Sequence, residues 1–186
     1  SGWSLDNYER LFNKAQFYKN MLDSLVIAVG TVVLGLAVSV TAAYALSRFR
    51  FPGRKLFMMQ FLLINMFPFV LLILPLFILM RQYGILDTYV GLILANATVA
   101  IPFSVWMLTS YAAAIPKSLD EAAMIDGCSR LTALRRVIIP LMMPGIISTG
   151  IYIFLPSWHE YLYALTPGGR NVRPVKVAVQ PSDGDY

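Results

Sequence analysis

The chain has 186 residues, of which 58% are hydrophobic and 13% charged, against roughly 25% charged residues in an ordinary soluble domain. With 13% aromatic residues and a mean hydropathy of +0.64, this balance excludes both disorder and a free-standing soluble globule, and it directs the chain to a lipid bilayer. The net charge of +5 is spread over several loops instead of being gathered on one soluble module, so no nucleic acid is expected as a partner.

In chain order, residues 1–23 mix charge with Leu5, Tyr8, Leu11, Phe12, Phe17 and Tyr18. Those spacings suit an amphipathic helix on the external membrane surface, and packing against neighbouring helices explains the aromatics equally well. No charged side chain then occurs from Leu25 to Leu46, from Leu56 to Met80, from Thr88 to Pro116, or from Val137 to Trp158. About 20 apolar residues in a helix cover the hydrocarbon core, where the backbone must satisfy its own hydrogen bonds. Four transmembrane helices are therefore predicted. A membrane β-barrel is excluded, because stretches such as Leu71 to Leu74 have no alternation with a period of two.

The loop after the first run contains Arg48, Arg50, Arg54 and Lys55 and no acid. By the positive-inside rule it is cytoplasmic. Counting onward, Arg81 to Asp87 lies outside, and Lys117 to Arg136 returns to the cytoplasm. Both ends of the chain then lie outside. The start at Ser1-Gly2-Trp3 and the polar, Gly- and Pro-rich tail 166–186 read as cut edges of a longer membrane protein. The expected division is thus an external segment 1–23, a membrane core 24–165 with a cytoplasmic loop 115–136, and an external tail 166–186.

That loop is the most informative stretch. Ser118 and Glu121 have the spacing of a capping box, which predicts a helix starting there. Gly127 can take the left-handed conformation that ends a helix, so the helix is expected to stop at Asp126, and a second one to begin near Ser129. A helix this short is marginal in water and needs something to pack against. Ala122 and Ala123 would let it sink into a groove, and Met124 and Ile125 add an apolar stripe. Either a partner protein on the cytoplasmic face or the ends of the chain's own membrane helices would supply that surface. Cys128 is the single cysteine, so no intrachain disulfide is possible, and no Cys or His pair has the spacing of a zinc site; no metal is expected.

Glu121-Ala122-Ala123, then Gly127, then Val137-Ile138-Ile139-Pro140 together resemble the EAA signature of ABC-importer permeases. Phe51-Pro52-Gly53-Arg54, Met66-Phe67-Pro68, Gly84-Ile85-Leu86-Asp87-Thr88-Tyr89, Ile115-Pro116-Lys117-Ser118 and the run from Trp158 to Leu165 extend the resemblance over nearly the whole chain. They narrow it to the maltose-type, or carbohydrate, permeases. Val137 and Ile139 depart from the usual Ile-x-Leu-Pro ending, and His159 stands where relatives commonly have Asn. The resemblance implies an all-α, polytopic transmembrane bundle of the type I ABC importer fold, with a short cytoplasmic coupling helix and with the first and last transmembrane helices of the family missing.

It also implies a multi-pass protein of a bacterial or archaeal plasma (inner) membrane that moves a sugar or related polyol by alternating access. The implied partners are ABC ATPase subunits, a second permease subunit and an extracytoplasmic solute-binding protein. Glu121, Ala122, Ala123, Met124, Asp126 and Gly127 would couple to the ATPase, with Gly127 as the bend. ATP and Mg would belong to the partner ATPase, since this chain holds no phosphate-binding G-x-x-x-x-G-K-[ST] loop and no cofactor of its own is expected. Importers of a non-sugar solute, or a passive channel or scaffold, remain as alternatives.

A sugar pathway needs hydrogen-bonding groups and flat aromatic faces. Asn65, Gln60 and Asn96 could supply the first, and Tyr44, Phe67, Phe103, Trp106 and Tyr152 the second. Asn65, Asn96, Phe67 and Tyr152 are the substrate-pathway candidates, with interhelical glue as the competing use. Pro68, Pro75, Pro102, Pro140, Pro144 and Pro156 predict kinks or breaks. His159 and Glu160 form an adjacent titratable pair, but no metal spacing or serine elbow accompanies them, so no catalytic residue is assigned and the chain is not read as an enzyme.

Overall fold

In a computed structural model, residues 15–86 and 88–165 can be described. Among them every regular element is helical, as expected for the all-α class. The first, α1 (Ala15–Arg48), contains the whole Leu25 to Leu46 run. Its last turn carries Arg48, a charge that complements the negative end of the helix dipole. Residues 15–23 form the first turns of this same helix; the remainder of the expected external segment, and the tail 166–186, lie outside the described residues.

The Leu56 to Met80 run, expected as one helix, is two: α2 (Arg54–Met66) and α3 (Phe69–Gln82). The break falls at Phe67 and Pro68. Proline disfavours the helical conformation in the residue before it, and Phe67 is accordingly extended (φ −70°, ψ 131°), its N–H bonding only back to Ile64. A tight turn at Gly84 leads to α4 (Tyr89–Ala114), where the Thr88 hydroxyl caps the start by accepting from the Gly91 N–H at 3.0 Å. After the 115–136 loop comes α7 (Ile139–Leu165), which continues through Pro144 and Pro156. Among the described residues, three helical stretches are long and apolar enough to cross a membrane singly: Met21–Arg48, Tyr89–Ala114 and Arg130–His159.

Two contacts fix how α1 and α4 run. Near their starts the Tyr89 hydroxyl donates to Asp23 Oδ1 at 2.7 Å, and at their ends Arg48 Nη1 donates to the Ile115 carbonyl at 3.0 Å. The two helices are therefore parallel. Residues 49–88 must carry the chain back from the Arg48 end to the Asp23 end, which α2 and α3 do in two pieces. The same geometry places the basic loops 48–55 and 117–136 at one end of the molecule, where the Arg130 guanidinium sits 5.0 Å from the Phe49 ring centre. Shared placement of the two basic loops is what the positive-inside reading requires.

Helices α1, α4 and α7 pack together, α1 against α4 most extensively. Their common core lies near the basic end and includes Val40, Ala43, Leu108, Ala112, Ile138 and Met142. Lipid tails are as apolar as these side chains, so close packing, not water exclusion, holds such helices together. The small Ala43 and Ala112, both fully buried, allow the backbones to approach. Leu25, Val26, Val29 and Val33 form an exposed apolar flank on α1, suited to lipid or to companion helices.

Candidate functional site

The loop between α4 and α7 is shaped by Pro116, Gly127 and Ser129. Pro116 forces Ile115 out of the helix (φ −81°, ψ 125°) and ends α4. The short helix α5 (Ser118–Ile125) follows, with Lys117 already in helical conformation. The Pro116 carbonyl accepts from Leu119 at 3.3 Å, and that of Lys117 from Asp120 at 3.0 Å and Glu121 at 3.1 Å. The helix thus begins one residue earlier than a Ser118 cap allows. Ser118 lies inside it, no side chain caps the start, and the expected Ser118–Glu121 capping box does not form.

Its end matches the expectation. Gly127 has φ +83°. The Gly127 N–H bonds the Met124 carbonyl at 3.1 Å and the Cys128 N–H bonds the Ala123 carbonyl at 3.0 Å, the paired bonds of a Schellman ending. Ser129 caps α6 (Arg130–Ala133), its hydroxyl accepting from the Thr132 N–H at 3.3 Å. A turn of π-helix, Leu134–Ile138, joins α6 to α7, and the Ile139 N–H reaches back to the Leu134 carbonyl. This widening was not foreseen. A proline ring presses on the carbonyl four residues earlier, so for Pro140 a wider turn around Arg136 provides room.

Helix α5 has two faces. Asp120 and Ala123, three residues apart and so on one side, are buried; Leu119, Glu121, Ala122, Met124 and Ile125 are exposed, Ile125 at 85%. Asp126 and Gly127 are exposed as well. Five of the six expected coupling residues therefore face outward together. The sixth is a correction: Ala123 is only 7% exposed and packs toward its own chain, because the residue that must share its side, Asp120, is drawn inward by an ion pair. Of the two surfaces weighed from the sequence, the ends of the chain's own membrane helices take the inner side of α5, while the outer side is uncovered among the described residues.

The inner side rests on an anchor that sequence reasoning missed. Arg48 Nε lies 2.5 Å from Asp120 Oδ2, with the two side chains 5% and 9% exposed. The Tyr44 hydroxyl donates to Asp120 Oδ1 at 3.2 Å. One guanidinium therefore ties the end of α1, the end of α4 through Ile115, and the loop helix. Tyr44, considered from the sequence as a flat face for a sugar, is instead buried in this anchor. The only signal in the sequence was an acid directly before Glu121 and an arginine closing the first apolar run, with nothing to pair them.

The substrate-pathway candidates separate into two groups. Asn96 and Tyr152 line one small cleft with Val99, Ala100, Pro156 and Ser157, about 80 Å³ in volume. Phe103 lies beside it, its ring centre 4.7 Å from that of Tyr152 and 5.8 Å from that of Trp106. Ligand pockets usually measure about 300–1,000 Å³, so this cleft alone is too small to enclose a sugar. Asn65 and Phe67 do not join it: Asn65 Nδ2 donates to the Phe61 carbonyl of its own helix at 2.7 Å, and Phe67 is exposed at the helix break.

The fold and the loop define a class: a multi-pass helical membrane protein that presents one short helix beyond its basic end. Residues 15–181 match the family described as the binding-protein-dependent transport system inner membrane component, and the chain belongs to that family. It is 38% identical to the inner membrane ABC transporter permease protein YcjP of Escherichia coli K12 over 99% of this chain and 68% of that protein. It is 37% identical to the trehalose transport system permease protein SugB of Mycobacterium tuberculosis, over 88% and 60%. The trehalose/maltose transport system permease protein MalG of Thermococcus litoralis is also 37% identical, over 87% and 59%. Among solved structures, a bacterial ABC transporter involved in import of the acidic polysaccharide alginate superposes with a TM-score of 0.73 at 27% identity, over 92% of this chain and 60% of that one. The chain thus spans about two thirds or less of the length of these relatives.

Proposed function

We propose that this chain is the permease core of an ATP-driven ABC importer for a sugar or related polyol, and that α5 is the element through which a partner ATPase drives it. The observation that carries the reading is the two-faced loop helix. Its inner side is locked to the ends of α1 and α4, while Leu119, Glu121, Ala122, Met124 and Ile125 stand outward with no partner surface among the described residues. A helix too short to be stable alone, anchored on one side and apolar on the other, fits a groove in a second protein.

Sugar as cargo is supported by the names of the relatives, which include permeases for trehalose, for trehalose and maltose, and for diacetylchitobiose. In this reading a solute-binding protein delivers the sugar from outside, a second permease subunit completes the pathway across a bacterial or archaeal inner membrane, and ATP and Mg are bound by the ATPase. Asn96 and Tyr152 would lie on the pathway, their cleft opening against the second subunit. Glu121, exposed at the first turn of α5, would pair with a basic residue of the ATPase.

The test is purification of the full-length permease from its native membrane in mild detergent, with and without Glu121→Lys. The native form is expected to bring an ATPase with it, and the variant to lose at least nine tenths of that partner while inserting normally. A permease that arrives alone in both cases would favour a channel or scaffold instead.

A further inference from the structure

Besides the main chain that joins it to α4 and α6, helix α5 is tied to the described residues in two ways. Its backbone packs on α6 and the π-turn, the segment that leads into α7. Its other tie is a side chain: Asp120 reaches Arg48 and Tyr44 on the last turns of α1. Arg48 is held in turn by the Ile115 carbonyl, so the guanidinium has little freedom to follow Asp120 without moving the helix that carries it. Buried opposite charges in a medium of low dielectric resist separation far more than exposed ones. The contact is directional too, since each Asp120 oxygen has its own partner on α1.

We propose that Arg48 and Asp120 are positioning residues that deliver motion of the loop helix to α1, so that α1 moves with α4 and α7. This rests on the importer reading above and adds a second line of transmission to the one through Gly127 and α7. Without the pair, a displacement of α5 would still reach α4 and α7 through the main chain that joins them, but α1 would be left to follow only through its packing on those helices. The consequence is specific: hydrolysis of ATP by the docked partner continues, but the work no longer opens the pathway.

The experiment uses the full-length permease in its complete complex, reconstituted in proteoliposomes with its binding protein, and measures sugar taken up per ATP hydrolysed. The variants are Asp120→Asn, Arg48→Gln, the conservative Asp120→Glu and the swap Arg48→Asp with Asp120→Arg. Expected are a tenfold or greater fall in uptake per ATP in Asp120→Asn and Arg48→Gln with the ATPase still bound, near-normal coupling in Asp120→Glu, and partial recovery in the swap. An unchanged ratio in both single variants overturns the proposal. So does a parallel loss of uptake, hydrolysis and assembly, which would make the pair a fold-holding contact only. A wild-type complex that shows no ATP-driven uptake refutes the importer reading itself, and the proposal with it.

Discussion

Replacing Gly127 with valine is expected to cut uptake by the assembled transporter roughly five- to thirtyfold while leaving the amount of inserted permease unchanged. At φ +83° the backbone occupies the left-handed region, which costs an L-residue about 1–2 kcal/mol, and a tenfold change corresponds to about 1.4 kcal/mol. Space is not the obstacle, since a Cβ on Gly127 meets nothing within 4 Å. The order of severity should therefore follow backbone preference, with Asn mildest, Ala intermediate and β-branched Val worst. Uptake into membrane vesicles, normalised to permease content, checks it. Equal effects for Asn and Val would mean that side-chain bulk against a partner matters more than the turn.

Gly91→Ala is the opposite case, in which space decides. A Cβ there would lie 2.2 Å from the Ile85 carbonyl oxygen and 3.0 Å from Met80 Cε. The methionine can swing away, but the carbonyl is main chain in the turn that feeds α4. Overpacking of this kind costs about 1–3 kcal/mol, so the detergent-solubilised protein should melt roughly 2–10 °C lower. Gly150→Ala is the matched control, because its Cβ would find only ordinary contacts, Leu36 Cδ1 at 3.5 Å and Val32 Cγ1 at 3.9 Å. A Gly91→Ala protein as stable as Gly150→Ala would show that the turn before α4 can relax.

The elements that could be read from the sequence are those set by local chemistry. Long uncharged runs specify α1, α4 and α7 because a helix is how a chain satisfies its backbone in lipid. Gly127 and Ser129 specify the two turns of the loop because both act on their immediate neighbours. Where two local signals compete, the reading fails. Pro68 outweighs the apolar continuity of Leu56 to Met80 and splits it, and the Pro116 carbonyl starts α5 before Ser118 can cap it. The anchor between Arg48 and Asp120 joins residues distant in sequence, and neither hydropathy nor spacing carries such a pairing. Ala123 was misplaced for the same reason, since its direction is settled by Asp120 beside it on the helix.

The central claim, that the outer side of α5 is the seat of a partner ATPase, is tested most directly by a cross-link from its most exposed apolar position. Ile125→Cys would be introduced with Cys128 replaced by serine, and membranes of cells making the full-length permease treated with a reagent that alkylates the thiol and carries a photoactivated group able to insert into any nearby C–H bond, then irradiated. The account predicts a cross-linked product containing the ATPase, whose yield changes when ATP is added. A permease that is labelled at residue 125 but never joined to another protein would contradict it.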